Sequence, residues 1–482
     1  MGKKAKQRRG GRRGSERARS SRVDLTLLGL WLLVLLTPLV VLPGLSDSFR
    51  LPKQAVGELL ALVSILCLGL RLGRRRRVEV RRLLRAPALQ AALPLLLVAT
   101  AGLLWTEHAG LVASRLPSLW IGAAALVAWS LATTVRERWL LLVATLVPAT
   151  LLALVGIAQF HRLYLPFAFA DPVTERLAVT SFAGGAFDLA AYLALPILFA
   201  QALIPRVHGA RRWLLILALV LLVYCLFATQ TLTALVAVVA GSAVLWLPRG
   251  LARFGWARSA AAALGLVVVV GGGVMAVEPL RERVVEKTTS LRTGDFDRLL
   301  TGRPDGWRAA LHMAGENPLT GVGHGSFRAE FGAARLALRA QGVTFFRGQQ
   351  NPFFVNAHSE PLEVAAELGL PGLAAFVWIV WLVGRALIGR RAGAEASTGE
   401  PVAEPGAADS DAASAPVGSF GAVFDDPGWR LRVSRAAWLA IVIMACFDFP
   451  FHLALLAFPW LLLTADTLAA PPRNDDAVEE PA

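Results

Sequence analysis

The chain reads as an all-α integral membrane protein carrying one large helical loop subdomain outside the bilayer. Apolar residues make up 55% of it and the mean hydropathy is +0.56, above the roughly 45–50% apolar share of soluble domains. Apolar runs of about 20 residues, the length needed to cross a hydrocarbon core of ~30 Å, recur along most of its length. Basic residues cluster between those runs rather than within them.

Residues 1–22 form a basic tail, from Lys3 to Arg22. The apolar run at 23–43 follows it as a signal peptide would, but Val41-Leu42-Pro43-Gly44-Leu45 offers no small-residue cleavage site, so the run reads as an uncleaved span. Further runs lie near 54–72, 87–105, 115–134, 138–160, 186–204, 212–229, 231–247, 259–279, 370–388, 433–449 and 451–468, giving about twelve spans. They are helices, because barrel strands would be shorter and would alternate. Nine spans therefore occupy 23–279, a large loop 280–369, the tenth span 370–388, and the last two 433–468. The intervening 389–432 is rich in Ala, Gly, Ser, Pro, Asp and Glu and reads as a disordered cytoplasmic linker. Residues 469–482 form a polar tail.

The arginine blocks at 71–85, 136–138, 206–212, 249–258 and 385–391 fall on one side if the spans alternate. The positive-inside rule then places both termini in the cytoplasm and the loops at 44–53, 105–114, 161–185 and 280–358 outside. The net charge of +15 follows this topology, so no nucleic-acid partner is implied. Cys67, Cys225 and Cys446 lie in spans without metal-ligand spacing and read as small buried hydrophobes.

The outer loop holds the chemistry. Trp307, Ala310, Leu311 and Ala314 recur at helical spacing, predicting a helix over 304–315 that Asn317-Pro318 ends. Gly321, Gly323 and Gly325 flank His324 but lack the neighbouring strand of a nucleotide site, so they predict a tight turn where backbone passes closely. A second helix begins at Ser359, with Pro361 in its first turn, and ends at Gly369 before Pro371. His358 at its N-terminus is suited to act as a neutral base or as a donor to a phosphate or sugar oxygen. Glu360, Glu363 and Glu367 share one face of that helix, where they either hold a cation or pair with loop arginines and solvent. Arg176, Arg303, Arg308, Arg328 and Arg347 offer forks that fit phosphate oxygens. Asp188, inside a predicted span, is either functional or paired with a helix end. Asp448 and His452 occupy the turn between the last two spans, with a structural or a functional role equally open.

Gly302-Arg303 with Trp307, Asn317-Pro318 with Gly321 to Phe327, His358-Ser359-Glu360 with Glu367 to Gly372, and Asp448-Phe449-Pro450 together resemble the O-antigen ligase and O-antigen polymerase family of bacterial inner-membrane proteins. The resemblance implies a GT-C-like fold and transfer of a glycan from an undecaprenyl-diphosphate carrier to a lipid A-core or growing-glycan acceptor. It places Arg303 and His358 at the family's arginine and histidine positions, and the mechanism expected on that basis is an inverting transfer without metal or cofactor. Arg176, Arg308 and Arg347 would hold the diphosphate, with Glu360, His324, Asp188 and Asp448 in support. Two elements depart from the pattern: Phe182 to Asp188 lacks the family's asparagines, and Thr231-Leu232-Thr233 lacks its arginine. Outside this family, a lipid-linked glycan transporter or a non-enzymatic assembly subunit would also use many spans.

Overall fold

A computed structural model describes residues 27–75, 83–163, 179–276, 278–346, 354–397 and 420–469. The chain is an all-α membrane protein, and no strand occurs among the described residues. Its helices are α1 Leu28–Leu36, α2 Arg50–Arg75, α3 Pro87–Ala101, α4 Ala109–Ala132, α5 Val135–Ala144, α6 Leu146–Phe160, α7 Ala186–Leu203, α8 Ala210–Ala228 and α9 Leu232–Ala276. There follow α10 Glu278–Thr293, α11 Phe296–Leu299, α12 Arg303–Glu316, α13 Phe327–Ala340, α14 Glu360–Ser397, α15 Pro427–Phe447 and α16 Ala454–Leu468.

Eight of the described helical segments are long and apolar enough to cross a membrane. The other expected spans fall on shorter apolar helices at Leu28–Leu39 and Ala454–Leu468, on α15 with Arg430, Arg432 and Arg435 in its first half, and on the end of α9 past its break at Gly255. Large side chains such as Leu66, Leu214, Val239 and Ile388 stand exposed on the outer helices. So much bare apolar surface suits lipid rather than water.

α7 is apolar on every face, and it is the central helix, packed by α6, α8, α9 and α15. At one end of the bundle, Arg138 and Asp466 form a buried ion pair at 3.1 Å, with Trp139 Nε1 donating to the same carboxylate. Arg71 with Glu137 and Arg206 with Asp426 lie near the same helix ends.

Of the segment 389–432, expected to be disordered, the described residues 389–397 and 420–432 are largely helical. α14 runs on to Ser397, and α15 starts at Pro427, where Asp426 caps the helix by accepting from Trp429 N–H. Trp429 is buried against Trp139, so tertiary packing orders what composition alone marks as loose. Residues 398–419 lie outside the described residues. Cys446 differs from expectation in being exposed on α15, whereas Cys225 is buried.

At the opposite end, the loop helices α12 and α13 build a second small core from Ala309, Ala310, Met313, Phe327, Phe331 and Phe354. The expected helix over 304–315 is one residue longer at each end. A backbone exchange fastens this unit to the membrane helices. Pro371 has no N–H, so the Glu367 carbonyl in α14 has no helical partner, and Gly323 N–H supplies one at 2.8 Å. Val322 N–H donates to Ala366 O, and Leu370 N–H turns away to Pro318 O. α14 breaks there, at Gly369 (φ 64°). Trp105 Nε1 and Thr106 Oγ1, at the head of α4, add bonds to the carbonyls of Thr320 and Val322.

The glycine turn is therefore where backbones pass closely. A Cβ on Gly321 (φ 62°) would lie 2.3 Å from the Glu367 carbonyl, whereas one on Gly342 (φ 85°) would meet nothing within 4 Å. Gly342→Ala should cost only the left-handed backbone term, about 1–2 kcal/mol. Gly321→Ala adds a collision with backbone that cannot move aside, so thermal unfolding should show a clearly larger fall in Tm for it. Equal falls would show that the turn is not fastened to α14 in this way.

Candidate active site

Asp448 ends α15 in an extended conformation, 1% exposed. A buried carboxylate needs partners, and it has two. Arg303 Nη2 donates to Oδ2 at 2.6 Å, and His358 Nδ1 lies 3.0 Å from Oδ1. Local sequence aims both. Gly302, left-handed at φ 76°, caps α12 and Pro304 stands in its first turn, which places Arg303 at the helix start. Gly306 lets α12 approach the backbone of Ala357, where a Cβ would lie 2.8 Å from the carbonyl oxygen. Trp307 Nε1 then donates to His358 O at 3.1 Å and holds that residue at φ 54°.

The bond to Asp448 calls for the proton on His358 Nδ1, which leaves Nε2 with its lone pair. The ring is 28% exposed and stands edge-on to Phe354 and Phe449, with centroids 5.4 and 4.9 Å away. A carboxylate that orients a histidine is the arrangement of an activated base. Arg303 also lines a cavity of about 220 Å³ with Gln230 to Thr233 at the head of α9, Arg283 and Lys287 of α10, Leu299 to Thr301, and Phe447. Its Nε is buried without a partner among the described residues. The Thr231-Leu232-Thr233 element that lacks an arginine thus lies across a cavity from three cations, two of them on α10.

Asp188 is 1% exposed in the first turn of α7, and Arg50 holds it through Nε at 2.8 Å and Nη2 at 3.0 Å. Arg50 Cζ lies 5.6 Å over the same Phe449 ring that touches His358. Sequence reading missed Arg50. The available signal was a pair of cations, Arg50 and Lys53, in a loop placed on the side where the positive-inside rule asks for none.

Other expected residues have structural posts. Arg308 spends its fork on Asp305 and Asp297, at 2.9 and 3.1 Å, and does not join His358, because five residues along the helix, about 1.4 turns, turn it to a different face from Arg303. Arg176 and Arg347 lie outside the described residues. The three glutamates of α14 are buried, neither solvated nor paired with loop arginines as expected. Their face turns inward, where backbone N–H groups need acceptors. Glu360 accepts from Phe451 N–H, Glu363 from Ala357 N–H and Asn356, and Glu367 from Gly325 and Phe327 N–H. His324 sits 3.2 Å from Glu367 and so secures the glycine turn.

His452 closes this network, with Nε2 3.4 Å from Glu363 and 3.5 Å from Glu360. Burial lowers its proton affinity, but Glu363 and Glu360 outweigh that and push its pKa from 6.5 up to about 10. A raised histidine pKa stabilises the fold fully below about 6.5, and the stabilisation is lost as pH rises through about 10. Unfolding of the purified protein should show this alkaline loss, and His452→Asn should flatten it while lowering stability at pH 6. A variant with an unchanged pH profile would remove His452 from the network.

A family model described as O-antigen ligase matches residues 217–377, about a third of the chain. The matched stretch holds Arg303, Arg308, His324, His358 and Glu360, whereas Arg50, Asp188 and Asp448 come from outside it. No curated protein matches the chain. The chain thus carries a stretch similar to the O-antigen ligase family over residues 217–377, set in a bundle of apolar helices.

Proposed function

We propose that the protein is an O-antigen ligase, transferring glycan from an undecaprenyl-diphosphate carrier to a hydroxyl of a lipid A-core acceptor at the periplasmic face of the inner membrane. The observation that carries this reading is a single buried carboxylate, Asp448, holding His358 and Arg303 beside a cationic cavity. His358 Nε2 takes the proton of the acceptor hydroxyl as its oxygen attacks the anomeric carbon. The bond from that carbon to the diphosphate breaks on the opposite side, which inverts the centre and sends the electron pair to the phosphate oxygen. Arg303, whose Nε faces no partner among the described residues, receives the charge of the departing diphosphate. Asp448 keeps the ring in the required tautomer and stabilises the imidazolium that forms. No metal ion is required by this scheme.

Removing a positioned base typically costs 10²–10⁴ in rate. Purified His358→Ala protein should lose transfer by about that factor while still folding, with Arg303 remaining on Asp448, Arg303→Ala should raise the donor KM, and a chelator should leave the wild-type rate unchanged. Wild-type transfer by well-folded His358→Ala protein would overturn the base assignment. Deletion in the native host separates ligase from polymerase on a gel of surface glycans. Loss of all attached polymer supports the ligase, and retention of one attached repeat unit indicates the polymerase.

A further inference from the structure

Arg50 is placed unlike a residue that only neutralises a buried charge. Its partner Asp188 is 1% exposed, yet Arg50 itself remains 45% exposed. Asp188 takes one edge of the fork through Nε and Nη2, and Nη1 has no partner among the described residues. The guanidinium plane is held over Phe449 at 5.6 Å, on the ring whose centroid is 4.9 Å from that of His358. Phe449 thus meets both the Arg50 guanidinium, tied to Asp188, and the His358 ring, tied to Asp448. A well-packed apolar pair commonly replaces a buried ion pair at no loss of stability, so packing alone gives no reason to keep this one half open.

We propose that Arg50, oriented by Asp188 and Phe449, forms a second oxyanion subsite beside His358, separate from the Arg303 cavity, that takes a phosphate or carboxylate group of the bound substrate. The free edge of the fork suits two oxygens of such a group, and charge-assisted bonds of this kind are among the stronger ones. The proposal rests on the transfer reading for the source of the anion, the donor diphosphate or an acidic group on the acceptor, and on the geometry alone for the subsite itself.

Arg50→Gln by itself strands the buried Asp188 charge and risks misfolding. The test therefore uses the charge-balanced Arg50→Gln/Asp188→Asn protein, with Arg50→Lys and Arg303→Gln alongside, as full-length chains in nanodiscs. Thermal unfolding first establishes that each variant folds. Undecaprenyl diphosphate and inorganic phosphate are then titrated by calorimetry. The double variant is expected to fold yet bind at least one probe about tenfold or more weakly, the loss of one charge-assisted contact. Arg50→Lys should fall between it and the wild type. Weaker undecaprenyl diphosphate binding assigns the donor as the source. Weaker phosphate binding with the lipid unaffected assigns an acidic acceptor group. Wild-type binding of both probes by the folded double variant overturns the subsite and leaves the transfer reading intact. Arg50-dependent binding by a wild-type protein that transfers no glycan upholds the subsite and overturns the transfer reading instead.

Discussion

The arrangement of the loop end of the bundle depends on the Asp448 carboxylate being buried and having to be paired. An uncompensated carboxylate at 1% exposure would cost several kcal/mol, so the fold must bring cationic or N–H donors to it. It brings them from two different places, the first residue of α12 and the residue two before α14. Asp448 itself belongs to the turn between α15 and α16, which makes one side chain the meeting point of three segments far apart in sequence.

That meeting point is kept in register from behind. The glutamates of α14 accept backbone N–H groups from the Asn356–Ala357 turn, from the glycine turn and from Phe451, three residues past Asp448. His452 lies against two of those glutamates. The break at Gly369 serves the same end, because the carbonyls released by Pro371 and by the kink bind the segment carrying Val322 and Gly323. A polar network at the mouth of a membrane bundle thus does by hydrogen bonding what apolar packing does inside it.

Much of this was legible in the sequence. Hydropathy and composition gave the helical membrane class, helical spacing and capping gave α12 and the start of α14, and the glycine spacing gave a close backbone passage at Gly321 and Gly323. The resemblance singled out Arg303 and His358, which the structure does bring to one carboxylate. What stayed hidden was long-range pairing. Nothing local in Asp448-Phe449-Pro450 says that it receives both, and Arg308 looks as suited to phosphate as Arg303 until Asp305 and Asp297 are seen to hold it. The glutamate stripe has the spacing of a solvated face, and only the fold turns it inward. Arg50 was passed over because arginines in this chain are abundant, although its position ran against the charge rule that explains most of the others.

If Asp448 acts through His358, the two residues form one functional unit and their losses overlap. The most direct measurement is a double-mutant cycle on glycan transfer with Asp448→Asn, His358→Ala and the combined variant, each checked for folding. The account predicts that the combined variant is no slower than His358→Ala alone. Losses that multiply in the combined variant would contradict it, since the two groups would then be acting independently.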